Sequence, residues 1–293
     1  MIIRKTIGNQ HHGLRLDDAI ATLCGNVSKS EARRIIDRGG CAVNSAMVRV
    51  ASRSVKSGDT FEIGVMEAGR FRELLLPPEA LLYEDAELIA VNKPAGINTQ
   101  RTPYQLKGTL EYWVAEYFKT QGNNEPARVI HRLDRGTSGA MLFPKHKPAA
   151  AWLSKRFHDG DVDKRYLALI SGQPEQKSWT VDAPIGKIAS ARYGIVGGGR
   201  SAVTEFRLLS SSGELSLVEA RPLTGRTHQI RVHLEYGGMP IIGDPTYGNQ
   251  PAERMMLHCS EMTLLDAKGK ELLVRAPLDG VFGECVRQLQ GLI

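Results

Sequence analysis

His131-Arg132-Leu133-Asp134-Arg135-Gly136-Thr137-Ser138-Gly139 sets one carboxylate between two guanidiniums, with an imidazole close by and small hydroxyl residues after it. The apolar run Ala140-Met141-Leu142-Phe143 follows directly. Charges butted against a strand-like segment are costly to place unless they pair with each other or with a ligand. Gly136 and Gly139 permit a tight bend, and Thr137 and Ser138 offer hydroxyls to fix it. Asp134 is therefore the first candidate for chemistry, against the plainer reading of an ion pair with Arg132 or Arg135.

A second constellation is Thr224-Gly225-Arg226-Thr227-His228-Gln229-Ile230-Arg231-Val232-His233. Thr227 reads as the N-cap of a helix that stops at Gly237-Gly238. His228 and His233 are five apart, so they do not share a helix face. No acidic general base stands between them, and no metal site is expected. With Ile230 and Leu234 turned inward, Arg231 lies close to the packed face. A semi-buried arginine needs an anion, and Asp134 is the natural one, although a salt bridge without catalysis remains open. There is no Gly-x-Ser-x-Gly elbow and no dinucleotide fingerprint. Gly197-Gly198-Gly199 has no lysine or helix start after it, so it is not a phosphate cradle. No small-molecule cofactor is expected.

These groups must be carried by elements. Leu16, Ala19, Ile20 and Leu23 share one face of a helix. Ser28-Lys29-Ser30-Glu31 is a capping box opening a second helix, Ala32 to Arg38, ended by Gly39-Gly40. That helix buries Ala32, Ile35 and Ile36, while Lys29, Arg33, Arg34 and Arg38 form a one-sign patch on the other side. Cys41–Asn44 and Phe61–Ile63 read as short strands. Pro77-Pro78 and Gly69 break both periods. From Leu81 onward strands outnumber helices without strict alternation. That favours α+β, with a mixed, mainly antiparallel sheet flanked by helices and loops, over a doubly wound fold. The expected domains are 1–66, a small α/β-type module; 67–80, a linker; and 81–293, the larger domain.

The net charge is +6 over 293 residues, and +4 of it lies in residues 1–66, with ten Lys/Arg against six Asp/Glu. A basic module ahead of a balanced domain points to an anionic partner, most simply nucleic acid. Four scattered cysteines without a CxxC pair read as reduced thiols rather than a zinc or disulfide framework. No apolar run approaches the roughly 18 residues of a membrane span. The N-terminus lacks the apolar core of a secretory signal, so a cytoplasmic protein without membrane attachment is expected.

Residues 13–64, with two helices, a Val-Asn strand and the Lys56-Ser57-Gly58-Asp59 turn, resemble the small RNA-binding module of ribosomal-protein S-four type. The remainder resembles the RluA-type RNA pseudouridine synthases. The matching stretches are Tyr83-Glu84-Asp85, Asn92-Lys93-Pro94-Ala95-Gly96, His131–Arg135 with Thr137–Gly139, Lys164–Ala168, Gly225–His233, Ile241–Gly248 and Leu257-His258. They cover about residues 81–275. Two departures, Gly136 and Cys259, are not expected to touch the chemistry.

The resemblance implies an isomerase that breaks the glycosidic bond of a uridine in RNA, turns the uracil and rejoins it through carbon five. It implies Asp134 as the essential carboxylate, whether it attacks the anomeric carbon, adds to the base or removes the ribose 2′ proton. All three routes need the ionised form, which a nearby Arg231 favours. It implies Tyr166 stacked on the uracil and Leu257 as an apolar flank. It implies Arg132 as the residue that fills or braces the stack vacated by a flipped base. Arg226 and His228 join Lys29, Arg33, Arg34 and Arg38 as expected RNA contacts. Ribosomal RNA is the expected substrate, with transfer RNA second. A non-catalytic RNA-binding or ribosome-assembly factor is the alternative of another class, and a monomer is expected.

Overall fold

The computed structural model describes residues 2–37, 40–64, 74–101, 108–189, 192–289 and 291. Arg38, and residues 67–73 of the expected linker, lie outside them. The chain divides into two units, Met1–Leu76 with Asn98–Gly122, and Pro77–Ile97 with Asn123–Ile293.

In the first unit, β1 (Ile2–Thr6), α1 (Leu16–Leu23), α2 (Lys29–Asp37), β2 (Cys41–Val43), β3 (Ala46–Val48) and β4 (Thr60–Gly64) precede α3 (Leu110–Thr120). The strands form an antiparallel sheet in the order β1-β4-β2-β3. Leu16, Ala19 and Ile20 of α1 pack with Ala32, Ile35 and Ile36 of α2 over Phe61 and Ile63. The capping box forms: Ser28 Oγ accepts from the Glu31 amide at 3.2 Å, and Glu31 Oε2 accepts from the Ser28 amide at 3.3 Å.

The one-sign patch does not form as expected. The fully buried Asp17 of α1 accepts from Arg33 at 3.1 and 3.2 Å and from Arg15 at 2.9 Å. Lys29 pairs with Asp18 at 2.6 Å. Arg15, against burial and with help from Arg33, holds Asp17 down at about 2. Acidic residues of a neighbouring helix thus partner two of the basic residues. Charges on α2 alone could not reveal this.

The second unit begins with β5 (Leu81–Glu84), β6 (Leu88–Lys93), β7 (Ser138–Pro144), α4 (Lys147–Asp159) and β8 (Asp163–Ser171). Then come β9 (Ser178–Asp182), β10 (Ile185–Ala189), β11 (Arg192–Ile195), β12 (Val203–Ser212), β13 (Leu215–Pro222) and α5 (Gln229–Tyr236). It ends with β14 (Leu257–Leu265), β15 (Glu271–Arg275) and α6 (Gly280–Leu289). Nine strands form one sheet in the order β5-β6-β7-β14-β8-β13-β12-β9, with β15 also on β14, while β10 and β11 make a separate hairpin. The fold is α+β and mainly antiparallel. Among the described residues, β7 and β14 are the one parallel pair, registered His258↔Ser138 and Cys259↔Gly139. No helix among the described residues is long and apolar enough to cross a membrane.

The helix after the second constellation starts one residue later than expected. His228, not Thr227, is its N-cap, with a left-handed backbone (φ 58°, ψ 18°) and no side-chain cap.

The parallel pair needs a glycine. Gly139 has φ +116°, and a Cβ there would sit 2.2 Å from the Cys259 carbonyl oxygen. Gly139→Ala should therefore cost roughly 3 kcal/mol, combining backbone strain with a main-chain clash. Chemical denaturation of the variant, compared with a Gly213→Ala control that has open space around it, measures this. A loss no larger than the control's would show that the strands can part cheaply.

Candidate active site

Parallel pairing lays the starts of β7 and β14 side by side. Asp134 lies just before β7, and Leu257 opens β14. Strand β8 runs antiparallel on the other edge of β14, opposing Tyr166 to Cys259 and Ala168 to Leu257. Three distant stretches thereby meet at one end of the sheet. Helix α5 adds Arg231. A cavity of about 730 Å³ is lined by Asp134, Tyr166, Leu257 and Arg231, together with Arg132, Arg226 and His228.

Asp134 does not pair with its neighbours in sequence. Arg231 Nη1 donates to Asp134 Oδ2 at 2.9 Å across 97 residues. Arg135 instead donates from Nε to the Gly96 carbonyl at 3.0 Å. His131 is no part of a charged cluster. Its ring stacks on Phe157 and its Nε2 accepts from the Leu142 amide at 2.9 Å. Burial pushes it down to about 3, so it is neutral near pH 7. The Ser138 hydroxyl does not hold the carboxylate either. It lies 2.7 Å from His258 Nδ1 and accepts from Arg254 Nη2 at 2.9 Å. Arg254 also donates to the Leu257 carbonyl at 3.1 Å, tying the start of β14 to the start of β7.

Sequence reasoning missed the group that positions Arg231. Asp244, with a side chain 0 % exposed, accepts from Arg231 Nε at 2.7 Å and from Nη2 at 2.9 Å. Its Oδ1 also accepts from the Thr246 and Tyr247 amides at 2.8 and 3.1 Å. The guanidinium plane is thus fixed by one carboxylate while its third nitrogen addresses another. Burial opposes the charge on Arg231, but Asp244 and Asp134 more than offset it and hold its pKa above the ordinary value. Burial would raise Asp244, yet the Arg231 fork and two amides keep it below the usual carboxylate range. The signal was present in Gly243-Asp244-Pro245, but nothing in the spacing says which arginine it faces.

Lys93 was also missed as part of the site. It is fully buried and donates from Nζ to the carbonyls of Pro94 (3.0 Å), Ile97 (2.8 Å) and Arg135 (3.4 Å). With the Gly96 amide donating to the same Arg135 carbonyl at 2.7 Å, it latches the Asp134 loop to the end of β6. Burial pushes the Lys93 ammonium down to about 7.

Tyr166 lines the cavity, and its cross-strand partner is Cys259. Burial, reinforced by Cys259 and Asp134, raises the Tyr166 phenol well above its ordinary value and keeps it neutral. Burial likewise pushes Cys259 up to about 12. Leu257 is 3 % exposed. Arg132 is exposed at the cavity, and Arg226 donates from Nε to the Ser201 carbonyl at 2.8 Å. Lys164 and Arg200, not singled out by sequence, also line it. His233 stays in the core, its ring nitrogens 2.9 Å from Thr204 Oγ1 and 3.1 Å from the Ala183 carbonyl oxygen. Lys29, Arg33 and Arg34 belong to the first unit.

The family model described as RNA pseudouridylate synthase matches residues 87–236. The chain belongs to that family, in its RluA-type branch. It is an RNA pseudouridine synthase and hence an isomerase. It is 34% identical over 254 residues to ribosomal large subunit pseudouridine synthase D of Zymomonas mobilis, covering 83% of this chain and 80% of that one. It is 31% identical to the enzyme of the same name from Nitrosomonas europaea, over 99% of this chain and 88% of that one. The solved human RNA pseudouridylate synthase domain containing 4 superposes with a TM-score of 0.62 at 26% identity, covering 72% of this chain and 93% of that one.

Removing the Asp244 charge tests the clamp. Asp244→Asn should destabilise the fold by about 3–5 kcal/mol, because a buried guanidinium loses its fixed counter-ion. Thermal and urea unfolding read the effect. A variant as stable as the parent would mean that Asp134 alone can neutralise Arg231.

Proposed function

We propose that this enzyme isomerises uridine to pseudouridine in ribosomal RNA, in the cytoplasm, with Asp134 as the essential carboxylate. The observation that carries the reading is the ion pair of Asp134 with Arg231, clamped by Asp244 inside a cavity that Tyr166 and Leu257 also line. Such a pair fixes the position of the carboxylate and sets a directed positive charge beside it. A cavity of about 730 Å³ is large enough for a nucleotide turned out of its helix. The neutral Tyr166 phenol offers a flat face for the uracil and a proton-handling group for carbon five. Leu257 forms the opposite apolar flank. Arg132, Arg226, Lys164 and Arg200 supply positive charge for the phosphates around the flipped nucleotide. His228 stands among them.

Ribosomal RNA is favoured because relatives alike over most of their length carry ribosomal large subunit in their names. Four free cysteines, of which Cys24, Cys41 and Cys259 are buried, fit a reducing compartment. The stretch 1–66 is read as an RNA-binding module of ribosomal-protein S-four type. Its two packed helices, its short-stranded antiparallel sheet and the exposed Arg34 support that. Lys29 and Arg33 keep exposed donors although each has an acidic partner.

Asp134→Asn should abolish pseudouridine formation in total ribosomal RNA while leaving RNA affinity within about threefold of the parent. Chemical mapping of pseudouridine with parent and variant settles this, and full activity in the variant would overturn the role of the carboxylate. Arg34→Ala should weaken RNA binding severalfold and lower the slope of log affinity against log salt by about one. An unchanged slope in a salt titration would remove Arg34 from the RNA interface.

A further inference from the structure

His228 is held more tightly than an RNA contact on a rim requires. Its backbone sits at φ 58°, a left-handed conformation that is uncommon outside glycine. Its ring lies edge-on to Tyr193 and to Tyr247, at 5.5 and 5.6 Å between centroids. Its Nδ1 is 2.9 Å from the Tyr247 hydroxyl, and its Nε2 is 3.8 Å from Asp134 Oδ2. The same Oδ2 accepts from Arg231.

Tyr247 connects these facts. Its phenol oxygen accepts from the Tyr193 backbone amide at 2.9 Å. A phenol oxygen that accepts one hydrogen bond in the ring plane has its own proton left to donate, and His228 Nδ1 is the partner in place. The imidazole proton then belongs on Nε2, the nitrogen facing Asp134. The Tyr247 ring also lies 4.9 Å under the Arg231 guanidinium carbon.

We propose that Tyr247 is a positioning residue that fixes His228 as the neutral Nε2–H tautomer, so that Arg231 and His228 together hold Oδ2 of Asp134 and leave Oδ1 for the uridine. Burial, only partly offset by Asp134, keeps the imidazole below its ordinary pKa, which agrees with a neutral ring. At 3.8 Å the Nε2 contact is electrostatic, and it tightens to a hydrogen bond once a substrate displaces solvent from the carboxylate. The inference rests on the proposed role of Asp134, but its first test does not.

That test is nitrogen NMR of the full chain with labelled histidine, in the absence of RNA. His228 should show a protonated Nε2 and a bare Nδ1, and Tyr247→Phe, which keeps the ring under Arg231, should shift it towards a tautomer mixture. A protonated Nδ1 in the parent, or an unchanged pattern in the variant, overturns the proposal. The second test is single-turnover pseudouridine formation on total ribosomal RNA. Tyr247→Phe should lower the turnover step about tenfold with RNA affinity within twofold. His228→Gln, which has no tautomer for Tyr247 to fix, should lower the turnover step by a comparable factor, and adding Tyr247→Phe to it should cost nothing more. Multiplying losses would show that the two residues act independently and would overturn the coupling. If the parent itself leaves ribosomal RNA unchanged, the substrate reading fails while the tautomer result stands.

Discussion

One buried guanidinium organises the second unit. Arg231 has a side chain 7 % exposed, on a helix whose other early residues are all buried. A charge in that position is tolerated only with fixed counter-ions and all of its donors directed. Asp244 takes two donors and Asp134 a third. The chain therefore has to bring a loop before β7, the start of α5 and the turn after it to one point. The sheet order, the parallel β7–β14 pair and the turn at Gly243 all serve that convergence. Gly243 shows how tight it is, since a Cβ there would lie 2.0 Å from the Arg254 carbonyl oxygen.

Around that point the polar groups fall into two kinds. Some face the cavity: Asp134, Tyr166, His228 and Arg132. Others lock the backbone that carries them. Lys93 ties the Arg135 carbonyl of the Asp134 loop to the turn after β6 through the Pro94 and Ile97 carbonyls, and Gln229 gathers the loop before α5, accepting from Thr224 and Arg226 while donating to Val203 and Thr204. His258 and Ser138 fix the two parallel strands to each other. Burial pushes His258 down to about 4, so this lock is neutral and does not compete for the carboxylate. Rigidity is thus supplied by buried donors directed at carbonyls and at neutral side chains, and opposite charges meet at Asp134, Arg231 and Asp244.

The α1 and α2 helices, the capping box at Ser28 and the antiparallel character of the larger sheet were legible in the sequence, because each depends on local periodicity or on a side chain reaching its own backbone. Strands β14 and β15 were not. The first carries a register shift between Cys259 and Glu261 that breaks its alternation, and Ser260 covers the Arg165 carbonyl there. Helix α6 gave little signal because it buries only Phe282 fully. The Lys29–Arg33 patch was misjudged because its partners, Asp17 and Asp18, lie on another helix.

For the site the division is sharper. The residue types and motifs determined that Asp134 needs a cationic partner, that Arg231 is half-turned towards the core, and which family the chain resembles. They did so because burying a charge has a cost wherever the chain puts it. Only the tertiary structure decided that Arg132 and Arg135 leave Asp134 alone, that Asp244 rather than Asp134 fixes the plane of Arg231, and that Tyr247 sits between His228 and the guanidinium. Hydrogen-bond partners at 2.7–2.9 Å across 13 to 97 residues follow from the sheet register and the turn after α5, not from spacing. A register shifted by one residue would turn the same side chains to the opposite face.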